Sequence, residues 1–476
     1  MEGTSQPQHF SSLLNSRTMV VVFATSIFMS YLFLRSYEDT SGFVVLYLLM
    51  AVQTVPLVLC LTLKKINYIS LILFNHFVTF SVAKYNAVSV LKGRQSIPPD
   101  TFHGIQELLY CSLLLMVGYF CGRLIFFYRF NLSRSFYNLK LSKWQLIIVG
   151  SYVLFQGIIV NYLPPTLRTI HFVTSCAALV LLLCSSAPGY EILSVAFKIG
   201  SVLSVGQYFI NSGSLSQFGS LGSILFIVAV VQGKTRNLLI VVFIGLMMSV
   251  IQPVKGKYRE IIQENLSISY VERIILIGEL MHWKYIEGGG DDPARMEREE
   301  EYVDNEGVEK EVLKGFARIG DDSLERVLAM TPSSVPFWGG ETYGILPYMF
   351  IPRFLWPEKP THRIWNKFGR TYGFLSSDDY STSVGVSYLG EAYMNFGYVG
   401  MYTCALFFGF FVVLVERLSY FFIPGSYYFT FICFLIPLMT YAGDLSSIIN
   451  SIVLMTSVLL VFRLQFQNMA MSDDYS

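Results

Sequence analysis

The chain has 476 residues, of which 53% are hydrophobic and only 14% charged. A soluble protein of this length carries nearer a quarter charged residues, because polar groups must cover its surface. The formal net charge of +1 argues against nucleic acid as a bulk partner.

The apolar residues come in repeated blocks of about 20, the length a helix needs to cross ~30 Å of hydrocarbon. The expected fold is therefore an all-α polytopic membrane protein with about 12 transmembrane helices and one large extracytoplasmic loop. Residues 1–17 are polar with one basic residue and no cleavage site after the first apolar block. They read as a short cytoplasmic tail before an uncleaved helix. Spans are expected near 18–35, 42–63, 68–91, 104–125, 144–163, 169–187, 190–209, 214–232, 237–252, 396–415, 424–442 and 446–464. Part of the 16% aromatic content, which includes 30 Tyr, suits belts at the headgroup boundary. All seven cysteines (Cys60, Cys111, Cys121, Cys176, Cys184, Cys404 and Cys433) fall in apolar segments and are expected to be buried, inert thiols.

Basic residues in short loops orient the bundle. Lys64 and Lys65, the 126–143 loop with Arg129, Arg134, Lys140 and Lys143, and Lys234 with Arg236 all fall inside if the N-terminus is inside. Glu38 and Asp39 then lie outside, with Lys92 and Arg94 as an outward exception. The chain divides into a bundle at 1–252, an extracytoplasmic loop with interfacial helices at 253–395, three helices within 396–465 and a cytoplasmic tail at 466–476.

The long loop opens with Lys255, Lys257 and Arg259 at the membrane surface. Ser269-x-x-Glu272 matches a capping box and starts a helix whose Val271, Ile274, Ile275, Leu280 and Met281 suit an interfacial position. After Gly288-Gly-Gly290 an acidic, unperiodic run extends through Glu311. Asp322-x-x-Glu325 caps a second helix that carries Arg326, follows Arg318 and stops at Thr331-Pro332. The apolar stretch Tyr343 to Trp356 is too short to cross and contains Pro347 and Pro352, so it should lie along the interface. Arg353, Trp356, Lys359, Arg363, Lys367 and Arg370 follow. Cations interleaved with Trp and Pro at this depth suit capture of lipid phosphate, or ordinary anchoring by snorkelling.

The segment Ile351-Pro-Arg353-Phe-Leu-Trp356-Pro-Glu-Lys359-Pro360, followed by Gly390-Glu391-Ala-Tyr393-Met-Asn395-Phe-Gly397 leading into a helix, resembles the Wzy-type polymerases. Arg236, the Lys255/Arg259 cluster and Arg318 before Thr331-Pro332 fit the same order, so the resemblance covers about 236–400. The periplasmic Arg-x10-Gly pattern described for some members is not found, and their arginine assignments do not transfer. The resemblance implies a metal-independent glycosyltransferase of the C class, without cofactor. It would join undecaprenyl-pyrophosphate-linked oligosaccharide repeat units into a bacterial surface polysaccharide at the outer face of the inner membrane. Partners would be membrane lipid and a chain-length regulator.

The leaving group of such a donor is already a pyrophosphate, so neutralising charge matters more than protonating it. Lys255, Arg259, Arg318 and Arg353 are the candidates for that role, and Arg353 is placed with Glu391 in catalysis. Glu391 is the candidate base for the acceptor hydroxyl, ahead of Asp378, Asp379 and His362. It could equally be a charge that complements a helix dipole. Tyr393, Asn395 and Trp356 are the candidate sugar contacts. His76, Lys84 and Lys198 are intramembrane ionisable groups, explained as well by function as by snorkelling. Rival readings are a ligase-like transferase with a lipid A core acceptor and a transporter or flippase.

The topology is tested by labelling. A cysteine introduced at Asn305 is expected to react with an impermeant maleimide in intact cells, and one at Ser135 is not; the reverse pattern would overturn the orientation.

Overall fold

The computed structural model of the protein describes residues 42–62, 67–81, 99–127, 139–212, 216–231, 253–265, 268–286, 323–349, 356, 364–380, 383–422, 427–439 and 443–473, with 241, 244, 247, 248, 250 and 251. The expected span at 18–35, the acidic run, Lys84, Arg318, Arg353 and His362 lie outside the described residues.

The described chain is almost wholly helical. In order the helices are α1 (Gly42–Thr62), α2 (Tyr68–His76, continued by the π-turn Phe77–Ser81), α3 (Pro99–Phe127), α4 (Lys143–Tyr162), α5 (Pro165–Cys184), α6 (Glu191–Ser212) and α7 (Ser216–Val231). Then come α8 (Lys255–Glu264), α9 (Tyr270–Tyr285), α10 (Ser323–Met330), α11 (Leu346–Met349), α12 (Ile364–Thr371), α13 (Tyr388–Phe422), α14 (Tyr427–Leu438) and α15 (Leu445–Asp473). A two-residue parallel pairing joins β1 (Leu139–Lys140) to β2 (Ser185–Ser186).

Four described helices are long and apolar enough to cross a bilayer: Phe102–Phe126, Lys143–Val160, Glu191–Asn211 and Tyr388–Ser419. Shorter apolar helices cover Val44–Cys60, Ile170–Cys184, Phe429–Leu438 and Leu445–Val461. The protein is thus an all-α chain of membrane type. Capping explains where several helices begin. Ser142 accepts from the Gln145 amide while the Gln145 side chain accepts from the Ser142 amide, which opens α4. The expected box at Ser269 and Glu272 opens α9 in the same way.

Two expectations change. Cys121 is exposed, not buried, because it lies on the outer face of α3. Leu280 and Met281 do not face outward with Val271: Leu280 is buried with Phe209, Val254, Tyr258 and Ile262, and Met281 packs against that cluster.

The chain divides into two compact units. The unit formed by 138–320, 428–437 and 449–476 pairs α4 with α6 through small residues. Phe197 lies over Gly150, and Leu154 over Gly200. Ser204 donates to the Val153 carbonyl and receives a bond from Gln156. Such bonds between helices hold them together where lipid offers no hydrophobic drive.

The other unit, 1–137, 321–427 and 438–448, is built on α3 and α13. These helices run parallel: His103 meets Tyr398, Glu107 meets Tyr402, and Glu416 meets Tyr119. Between those contacts the backbones touch. A Cβ on Gly118 would collide with the Leu406 carbonyl, and one on Gly409 with the backbone of Leu115 and Tyr119. A buried polar chain, Ser81 to Gln53 to Ser112, ties α1 and the π-turn to α3.

Gly409→Leu is expected to cost ~3 kcal/mol, the upper end for overpacking, since an added side chain has no space to enter. The check is thermal unfolding of purified protein in detergent; a melting point within error of the parent would show that the helices can separate freely.

Candidate functional site

Helix α13 begins earlier than expected, at Tyr388 rather than 396, and it is broken. At Gly397 the backbone takes φ 66° and ψ −156°, a region open essentially to glycine alone. The part after the break is long enough to cross a bilayer by itself. Tyr388 to Phe396 is therefore a separate half-helix at the end of the span.

The break frees two carbonyls that a continuous helix would use internally. Met394 accepts from the Trp338 amide at 2.9 Å and Asn395 from the Gly339 amide at 3.2 Å. The Asn395 side chain completes the clamp. Its Oδ1 accepts from Gly340 N at 2.9 Å, and its Nδ2 donates to Thr342 Oγ1 at 2.8 Å and to the Glu391 carbonyl at 2.7 Å. Gly339 and Gly340 both have positive φ, which lets three successive amides turn toward α13. Tyr343 stacks on Phe396 with ring centres 5.8 Å apart.

Under this clamp lies Glu391, 0% exposed. Its Oε2 accepts from the Leu445 amide at 2.8 Å. Among the described residues its Oε1 has no hydrogen-bond partner. Leu445 is the first residue of α15, and Asp444 caps that helix: its Oδ1 accepts from Ser447 N at 2.8 Å and its Oδ2 from Ser447 Oγ at 2.6 Å. Glu391 thus sits in the first turn of one helix and on the first amide of another. Both helix ends present partial positive charge, which favours a carboxylate there. Besides burial itself, the described groups acting on its charge are Asp444, the Leu445 amide and the Thr342 hydroxyl.

Further contacts shape the surroundings. Tyr388, three residues before Glu391, places its hydroxyl 3.4 Å from His76 Nε2. Burial, followed by Cys404, Glu391 and Asp444, pushes the Tyr343 phenol well above its ordinary range, so it remains a neutral donor. Burial also raises the Tyr372 phenol, against a bond to Thr331.

Two of the expected sugar contacts are turned into the protein. Asn395 is 1% exposed and its amide is committed to the clamp, while Tyr393 is buried and donates to the Thr331 carbonyl at 3.1 Å. Both hold the protein's own loop in this conformation rather than facing outward. Trp356 is half-buried. Asp378 is exposed, and the Asp379 carbonyl accepts from Asn366. Lys255 and Arg259 lie in α8, in the other unit. The unit that holds Glu391 has further described cations. Lys367 pairs with Glu341 at 2.6 Å and lies over Trp338, Arg326 donates to the Tyr372 carbonyl at 2.9 Å, and Arg370 lies over the Tyr380 ring at 4.1 Å. Sequence reading missed Asp444 and Thr342. Asp444-x-x-Ser447 ahead of an apolar run is an N-cap signal that could have marked the first; nothing local marks the second.

Compared with protein-family models, with curated proteins and with solved structures, the chain finds no match.

Gly397→Ala should strain the break by ~1–3 kcal/mol and loosen residues 338–343. Hydrogen exchange should show faster exchange of the Trp338, Gly339 and Gly340 amides, and unchanged protection would show that the clamp does not depend on the break.

Proposed function

We propose that this protein polymerises undecaprenyl-pyrophosphate-linked oligosaccharide repeat units, acting as a lipid-linked glycosyltransferase at the outer face of a bacterial inner membrane. The observation that carries the reading is the buried, half-partnered carboxylate of Glu391 at a broken helix end. Deeply buried polar atoms are nearly always bonded, so an open one marks a place where something else binds.

In this reading the acceptor sugar hydroxyl attacks the anomeric carbon of the donor glycan. The bond from that carbon to the pyrophosphate oxygen breaks, undecaprenyl pyrophosphate leaves, and the hydroxyl proton passes to Glu391 Oε1. The Tyr343 phenol and Thr342 hydroxyl orient the acceptor. Cations neutralise the leaving group without a metal. Arg353 keeps that role from the sequence, joined by Arg326, Lys367 and Arg370 from the unit that contains Glu391. The acceptor reaches Glu391 only when residues 338–343 lift from α13, so clamp opening precedes chemistry.

The twelve-span topology belongs to the same proposal. Parallel α3 and α13 enter the membrane from one side, which requires an odd number of crossings between them. The five spans expected between 144 and 252 meet that parity. It supports placing residues 253–395 on the side where α13 begins.

One feature favours a second reading. Broken helices whose ends converge on a buried acidic group also occur in ion-coupled transporters. The two readings separate on product formation. Purified Glu391→Gln protein supplied with lipid-linked repeat units is expected to polymerise ~10²–10⁴-fold more slowly than the parent while binding substrate normally. A near-normal rate would remove Glu391 from the chemistry. Absence of polymer from the folded parent that binds the lipid-linked units would favour transport.

A further inference from the structure

We propose that the α8–α9 hairpin is a docking surface for the anionic face of the bilayer, distinct from any substrate site. Val271, Ile274 and Ile275 would enter the acyl region, and Lys255, Lys257 and Arg259 would meet lipid phosphate.

The hairpin is fixed to the ends of two apolar helices. Arg273 Nη1 donates to the Asn211 carbonyl at 3.0 Å, and the Tyr258 hydroxyl donates to the Ile210 carbonyl, both in the last turn of α6. At the other end of α9, the Tyr285 hydroxyl donates to the Val250 carbonyl at 2.7 Å, beside Ile251, with which the helical residues described between 241 and 251 finish. The last carbonyls of a helix have no internal partner, so these donors meet a real need. Arg273 and Tyr285 are about 18 Å apart along the axis of α9. A helix tied at both ends to two span ends lies across them, along the membrane surface, and both span ends share one face of the membrane.

Helix α9 has two apolar faces. Leu276, Ile277, Leu280 and Met281 close onto Phe209, Val254, Tyr258 and Ile262. The opposite stripe stays open: Val271 is 64% exposed, Ile274 47% and Ile275 54%. An open stripe at helical spacing on a surface-lying helix is what an interfacial helix offers to lipid. The charge fits the same occupant. Lys255, Lys257 and Arg259 fall in one five-residue stretch just after the chain's exit from the bilayer, with Glu260 and Glu264 the acidic residues of the same helix. Lys257 Nζ lies 4.0 Å from the centre of the Trp283 ring, an aromatic suited to headgroup depth. This moves Lys255 and Arg259 from the substrate pyrophosphate to the lipid matrix.

The test labels a cysteine at Ile275 with bimane in full-length Cys121→Ser protein. The protein is reconstituted in phosphatidylcholine vesicles with or without phosphatidylglycerol. Lipid brominated along its acyl chains is expected to quench the label more strongly than aqueous iodide does. The Lys257→Gln and Arg259→Gln pair is expected to lower selectivity for spin-labelled phosphatidylglycerol, by up to about fivefold per charge removed. Stronger quenching by iodide would mean that the stripe faces water and would overturn the proposal. Insensitivity to both quenchers would mean that protein covers it, a further segment of this chain or a second copy, and would overturn it as well. Unchanged lipid selectivity in the double variant would remove the headgroup half.

Discussion

Two glycines, Gly118 on α3 and Gly409 on α13, bring the backbones of two long apolar helices into contact, and the rest of their unit is arranged around that approach. Neither position has room for a Cβ, so the register of one helix on the other is set to within a residue. Gly122 repeats the device one turn on, where an added Cβ would lie 3.1 Å from Val413. In lipid the apolar side chains gain little by leaving their solvent, so close packing and hydrogen bonds carry the association. The fixed register lets residues far apart in sequence meet in pairs: Glu107 with Tyr402 at 2.6 Å, and Tyr119 with Glu416. It also fixes the height of the half-helix that precedes Gly397, and with it Glu391.

The break at Gly397 has a cost and a use. An interrupted helix leaves carbonyls that must be satisfied where water is scarce, so such breaks persist only where protein or a polar cavity supplies donors. Here three amides from residues 338–340 supply them, and Asn395 fastens the same loop by its side chain. The loop therefore docks on main-chain groups that exist only because the helix stops. That dependence couples the conformation of 338–343 to the glycine backbone at 397, and both to the covering of Glu391.

Helix existence was largely legible in the sequence, because apolar blocks and caps act locally. The box at Ser269 and the helix stop before Thr331 follow from side chains within a few residues. Burial direction was less legible. Val271 and Leu280 have the same apolar character, and only the position of Phe209 and Tyr258, more than ten residues away in the chain, decides which faces inward. The site was legible in part. Glu391 drew notice by type and place, but its bond to Leu445, 54 positions on, cannot be read from spacing. Tyr393 and Asn395 looked like ligand contacts for the same reason that they make good clamps: each has an apolar body and a hydrogen-bonding tip.

The two buried carboxylates of α13 make a sharp contrast. Glu416 is 2% exposed and well provided for. The Tyr119 hydroxyl donates to its Oε2, Arg123 stands 3.9 Å from its Oε1, and Arg123 also donates to Tyr119. A cation and a phenol thus hold that charge in place, and its role is explained by structure alone. Glu391, on the same helix and equally buried, has among the described residues one amide, the Thr342 hydroxyl, two helix ends and an acidic neighbour. If burial of a carboxylate served only packing, the arrangement at Glu416 would be the cheaper solution at both positions, since an unpaired buried charge costs several kcal/mol in practice. Polar networks left incomplete concentrate where a protein binds or reacts, because completion is reserved for the ligand. On that ground the proposed chemistry is placed at Glu391, while Glu416 is held by a cation and a phenol.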